Sequence, residues 1–208
     1  MNQQSLNRWF NNFNSIIDAI SIPGYLELIE GQDFTIDMRK KLGRGGSSGV
    51  YKGRLRSAKK QQIAVKVFHD RSSHDNVDKD DGSRKQSDPP PKVGEDESKS
   101  DFMVELAILH TLSASTSKGH ENVVKLYGFC LKPMSIIMKF YDSSLRGRLS
   151  DPAFETGPKI CLKIALDIAS GMAYIHQRGI LHLDLKPGKF MTKIYATLVK
   201  LSHILILL

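Results

Sequence analysis

Cysteine is scarce in this chain. Its 208 residues hold two, Cys130 and Cys161, too few for a disulfide framework that could replace a core. Both sit in apolar settings ("LYGFCLK" and "KICLKIAL"), which predicts buried thiols in a reducing compartment, with no disulfide or metal role. Long apolar runs are also missing, and none approaches the roughly 18 residues that cross a bilayer. The opening "MNQQSLNRWFNNFNSIIDAI" has no unbroken apolar core and no small-residue cleavage site. No secretory signal is expected, and the predicted location is cytoplasmic. A Lys/Arg block is lacking too: the net charge of +8 is scattered. That argues against a nucleic-acid partner, which would want a basic stripe interleaved with aromatics. Tyr51, Lys52, Arg54 and Arg56 come nearest, and they fit a strand equally well.

What is present suits one domain with an appendage. Hydrophobic residues make up 40% of the chain and there are 16 glycines, ordinary values for a globular core. Leu6, Trp9, Phe10, Phe13, Ile16, Ile17 and Ile20 recur at helical spacing, so residues 1–33 are expected to hold an amphipathic helix and a linker, with Pro23-Gly24 ending the helix. From residue 34 to 68 the patterning turns to strands: "FTIDMRKKL", a glycine turn, "VYKGRL", then the buried-strand run "IAVKVF". Residues 70–101 have almost no large apolar side chain, three consecutive prolines, and ten acidic against six basic residues. Such a segment predicts a disordered insert. Removing its net −4 from +8 leaves +12 on the remainder. Beyond it, "FMVELAILHTL" is helical, "NVVKLYGFCL" and "SIIMKFY" read as strands, and "PKICLKIALDIASGMAYIHQRG" is a long helix. Its apolar positions Ile160, Leu162, Ile164, Ala165, Ile168, Met172 and Ile175 follow the 3.6 period, with Gly179 as its C-terminal cap. Strands first and helices later predict an α+β fold.

Three features suggest chemistry. "LGRGGSSGVYKG" (42–53) is a glycine-rich turn between strands, where backbone N–H groups can approach phosphate unobstructed; such hairpins are also common as plain structure. Lys66 lies on a strand between apolar neighbours, 16 residues after Val50. It is either an edge-strand solubiliser or a cation aimed at phosphate. Glu105 shares a helix face with Leu109 and Leu112, an odd place for a solvated acid, and a Lys66–Glu105 ion pair would hold the lysine for phosphate contact.

The order of these features, followed by "HENVVKLYGF", the apolar "SIIM", a long helix and "HLDLKP", resembles the protein kinase family over residues 34–203. The wording "GMAYIHQRGILHLDLKP" looks like the tyrosine-kinase-like branch of serine/threonine kinases. The resemblance implies a two-lobe fold with a complete β-rich N-lobe and the first part of a helical C-lobe, spanning 34–208. It implies ATP as cofactor and a protein substrate or signalling partner. Leu42 and Val50 would cover the adenine with Ala64 behind it, and Gly43 and Gly45 would lie over the phosphates. Lys66 would contact the α- and β-phosphates, held by Glu105. Met138 resembles the gatekeeper, and the backbone from Lys139 to Tyr141 the adenine-binding hinge. Asp184 would orient the acceptor hydroxyl and take its proton, and Lys186 would balance charge on the moving phosphoryl group.

The pattern also breaks. Leu183 stands where the family has arginine. Lys189 stands at an asparagine position that ligates magnesium, yet an ammonium has no acceptor. In "VKLSHILILL", His203 falls where the main magnesium aspartate belongs, and imidazole is a poor ligand for that hard ion. No metal-binding residue is therefore assigned, and phosphoryl transfer should be slowed by several factors of ten. No activation segment follows, so a truncated gene product is one expectation. An inactive pseudokinase serving as an interaction module is the other.

Overall fold

The computed structural model describes residues 26–45, 48–56, 60–69, 94–114, 119–154, 156–195 and 198–204. The helix expected over residues 1–20 and positions 70–93 of the expected insert lie outside them.

The first sheet contains β1 (Leu26–Glu27), β2 (Phe34–Arg44), β3 (Ser48–Leu55), β4 (Gln62–Phe68), β5 (Leu126–Leu131) and β6 (Met134–Lys139). Its spatial order is β1-β5-β6-β4-β3-β2, antiparallel throughout except for the short β1–β5 pair. Strands β2 and β3 approach so closely at Gly53 that a Cβ there would lie 2.6 Å from the Thr35 carbonyl oxygen. Only glycine fits that position.

The period-2 alternation of β4 gives the sheet its two faces. Ile63, Val65 and Val67 pack with Phe34, Tyr51, Cys130 and Ile137 on one side. Ala64, Lys66 and Phe68 therefore share the other. There Phe68 joins Phe102, Leu106, Leu109, Ile136 and Met138 in the core beneath α1 (Gly94–Ala114).

Helix α1 starts inside the stretch expected to be disordered, so the boundary at 101 moves back to 94. Composition misleads here because the apolar residues from Phe102 onward supply the packing that carries the helix back into a polar stretch. The buried Ser98 ties this end down by donating its hydroxyl to the His69 carbonyl at 2.6 Å.

Helix α2 (Leu145–Leu149) is capped by Ser144, whose Oγ accepts from the Gly147 N–H at 3.1 Å. Helix α3 (Pro158–His176) opens on proline and closes at Gly179, which takes φ +70° while the Ile180 N–H donates to the Ile175 carbonyl at 3.1 Å. A second core joins the lobes: Leu112 and Val123 pack with Leu145, Ile175 and Phe190, with Ile164, Ile168 and Met172 against them. A second sheet, β7 (Ser143–Ser144), β8 (Phe190–Tyr195) and β9 (Leu198–Ile204), completes the arrangement. The result is the α+β, two-lobe architecture expected from the sequence.

The periodic face of α3 is covered on one side only: Ile175 is buried, whereas Leu162 is 63% exposed and Leu166 is also exposed. One expectation needs correction: Cys161 is exposed, while Cys130 is buried as expected. Local apolar context marks a helix face but not which part of that face a neighbour covers. Leu109→Ala should therefore cost about 2–5 kcal/mol and Leu162→Ala less than about 0.5 kcal/mol, as read from urea denaturation of the two variants.

Candidate functional site

A cavity of about 210 Å³ opens between the lobes. Its roof is Leu42, Gly43 and Val50 from the β2–β3 hairpin with Ala64 of β4; its back wall is Met138 to Tyr141; its outer edge runs from Asp142 to Ser144; its floor is Gly188 and Met191. Strand register builds the roof and wall. Ala64 pairs with Met138, and Val50 pairs with Lys66, so the 16-residue spacing noted in the sequence is a hairpin that sets the two opposite each other.

Of the residues expected around a ligand, Leu42, Gly43, Val50, Ala64, Met138, Lys139 and Tyr141 line this cavity. Gly45 lies beyond it at the hairpin tip, where its N–H donates to the Ser48 carbonyl at 2.8 Å. Lys66 and Glu105 lie outside the lining, with Lys66 one alternation inward from Ala64. Residues 142–144, Gly188 and Met191 were not anticipated. The first three continue the hinge strand and could have been read from "YDSS"; the floor pair has no local signal.

Lys66 and Glu105 form the expected ion pair. Both are buried, at 6% and 3% exposure. Glu105 follows Phe102 and precedes Leu109 on the inward stripe of α1, so the sheet-facing side of the helix carries one carboxylate among apolar groups. Burial pushes the Glu105 carboxyl above its ordinary value, while the Lys66 ammonium and, more weakly, the charge of Lys189 pull it back. Glu105 Oε1 has no hydrogen-bond partner among the described residues. The Lys66 ammonium also stands 5.0 Å from the centre of the Phe68 ring.

The loop after α3 presents Asp184. Here the Asp184 N–H donates to the carbonyl of the buried His182 at 2.7 Å, closing a three-residue turn. Leu183 between them is held at φ +55°, a left-handed conformation that costs a bulky residue about 1–2 kcal/mol. A 3₁₀ turn, Pro187–Lys189, then returns the chain to the floor. Both flanking lysines converge on one carboxylate oxygen: Lys186 Nζ is 2.7 Å and Lys189 Nζ 3.2 Å from Asp184 Oδ2. Hydrogen bonds from Lys186 and then Lys189 hold the Asp184 carboxyl below its ordinary value. Any stability it lends is thus present above that ordinary value and is lost as pH falls through the depressed one.

Two ammonium groups at one carboxylate oxygen leave poor ground for a divalent cation. Among the described residues no group of three His, Cys, Asp or Glu side chains is placed to hold a metal. His203 lies on β9 opposite Met191 in the strand register. A larger depression of about 500 Å³ lies over the outer β2–β3 surface, between Thr35 and Lys40 and Lys52 to Arg54, remote from these groups.

Two measurements check this loop. In Lys189→Asn, carbon-detected NMR titration should find the Asp184 pKa raised toward 3.8. Leu183→Gly should relieve the left-handed strain, offset by glycine's own entropy of roughly 0.5–1 kcal/mol, for a net stabilisation of up to about 1.5 kcal/mol by urea denaturation.

Comparison with known proteins agrees with this geometry. The protein kinase domain family matches residues 36–203. A probable serine/threonine-protein kinase of Dictyostelium discoideum is 30% identical over 190 residues, covering 88% of this chain and 12% of its own length. Cysteine-rich receptor-like protein kinase 45 of Arabidopsis thaliana is 30% identical over 165 residues, 76% of this chain and 38% of that protein. Rust resistance kinase Lr10 of Triticum aestivum is 31% identical over 164 residues, 74% of this chain and 21% of its own length. The chain thus spans well under half of each of these relatives. With its roofed cleft, buried Lys66–Glu105 pair and Asp184 loop, it belongs to the protein kinase family.

Proposed function

We propose that the chain binds ATP in the cleft between its lobes, and that its transfer of the terminal phosphoryl group to serine or threonine of a protein substrate is weak. The observation that carries the reading is the register of β4. It sets Ala64 over the cavity beside Met138, and Lys66 one alternation deeper, fixed by Glu105. An adenine in the cavity would lie between Val50 and Ala64 above and Met191 below, with backbone groups from Lys139 to Tyr141 at its edge. Its phosphates would extend toward Lys66, whose ammonium is held in place by burial and pairing. Gly43 and Gly45 themselves put no side chain over that path.

Asp184 would receive the proton of the acceptor hydroxyl and Lys186 would offset charge on the moving phosphoryl group. Two facts of charge work against the step. Asp184 has a depressed basicity because two lysines hold it as the anion, and a weaker base drives proton transfer less. The family uses magnesium with ATP, which would neutralise the phosphates. This chain's residues do not fit the ion: Lys189 and His203 stand at the positions where the family supplies oxygen ligands, and the Asp184 oxygen already meets two ammonium groups. No step is therefore assigned to a metal here.

Isothermal titration with ATP tests the cavity. Ala64→Phe, which fills the roof, should weaken ATP binding by about tenfold or more, worth 1.4 kcal/mol, and unchanged affinity would remove the cavity from the reading. Labelled-phosphate transfer to a generic serine/threonine substrate should stay near background, and ordinary kinase turnover of about 1–100 per second would show the second half of the proposal to be wrong.

A further inference from the structure

We infer that the depression beside the β2–β3 ladder is a docking site for an acidic, extended peptide segment of a partner protein. The depression, about 500 Å³, shares no lining residue with the cleft between the lobes. Strand register shapes it. Asp37 pairs with Lys52 and Thr35 with Arg54, but the next pairing joins Lys41 to Tyr51. Met38, Arg39 and Lys40 therefore have no partner on β3 in the register and bulge from the ladder. Asp37 braces that bulge. Its Oδ1 accepts from the Arg39 N–H at 3.3 Å and lies 3.7 Å from Arg39 Nε, and its Oδ2 lies 3.6 Å from Lys40 Nζ.

The lining carries four cations, Arg39, Lys40, Lys52 and Arg54, against one carboxylate, Asp37. Asp37 meets Arg39 and Lys40, whereas Lys52 and Arg54 meet no carboxylate among the described residues. Lys52 instead stands 4.4 Å from the centre of the Phe140 ring, and Arg54 is exposed. Edge strands often carry basic residues only to block pairing with another sheet. That does not account for these two, because β3 is interior to its sheet, paired with β2 and β4. Lys52 and Arg54 stand two residues apart on one face of β3, a repeat of roughly 6.5 Å. An extended peptide presents alternate side chains at the same repeat, so carboxylates two residues apart reach both cations. The Arg54 guanidinium can hold one of them through two parallel hydrogen bonds. Exposed Met38 adds an apolar contact at the rim. A nucleic-acid strand matches less well, because the lining holds no aromatic ring on which bases could stack.

Fluorescence anisotropy on the full chain tests the site. The probes are a labelled peptide of alternating Glu and Ala, the same peptide with Gln for Glu, and labelled oligothymidine. The Glu peptide should bind at least about tenfold more tightly than the Gln peptide, and its affinity should fall as salt is raised. Replacing both Lys52→Gln and Arg54→Gln should lower that affinity about tenfold or more. Arg54→Gln alone changes an exposed side chain, so a loss there with an unchanged circular dichroism spectrum reads the contact and not the fold. Lys159→Gln, an equal change of charge on the exposed start of α3, should leave the affinity as it was. Equal binding of the two peptides, equal losses in Lys159→Gln and Arg54→Gln, or no binding of the Glu peptide would overturn the proposal. Oligothymidine bound more tightly than the Glu peptide, and weakened by the same pair of substitutions, would overturn it in favour of a nucleic-acid surface.

Discussion

A buried ammonium and a buried carboxylate have to meet for this chain to fold as it does. Taking either ion out of water alone costs several kcal/mol, so neither β4 nor α1 can pack against the other unless Lys66 and Glu105 find each other. Their contact therefore fixes the azimuth of α1 over the sheet. That in turn sets Phe102, Leu106 and Leu109 into the core with Phe68 and Met138. The same contact fixes the inner end of the cleft. Glu105 Oε1 remains without a hydrogen-bond partner among the described residues, and burial raises the Glu105 pKa despite the lysine. A pair of this kind is weak as a stabiliser and strong as a constraint on geometry.

The loop from His182 to Lys189 has a different economy. Strain at Leu183 and a tight turn onto the His182 carbonyl aim Asp184 outward. The 3₁₀ turn then brings Gly188 to the cavity floor. One carboxylate is thereby shared by two lysines, which hold it as the anion.

Much of the fold was legible because its signals are local. The alternation of "IAVKVF" gave β4 its two faces, the stripe Phe102–Leu109 marked α1 with Glu105 inside it, and Gly179 marked the end of α3. The roof and wall of the cavity followed from motif order. The start of α1 was not legible, because an acidic, apolar-poor segment looks disordered until it extends a packed helix. Neither was the exposure of Cys161, since an apolar neighbourhood in sequence does not say which side of the helix is covered. The two-residue β7 and the floor formed by Gly188 and Met191 have no pattern of their own.

The sequence by itself determined the family architecture, the glycine hairpin, and the identities of Lys66, Glu105, Asp184 and Lys189. These depend on residue type and on spacing within single elements, where periods of 2 and 3.6 act directly. Tertiary structure alone decided that Val50 faces Lys66 across a strand pair, and that Lys189 shares the Asp184 oxygen with Lys186 while its charge reaches Glu105. Those relations join segments far apart in the chain. Coulomb attraction falls with distance through space, so only the folded backbone can say which charges are neighbours.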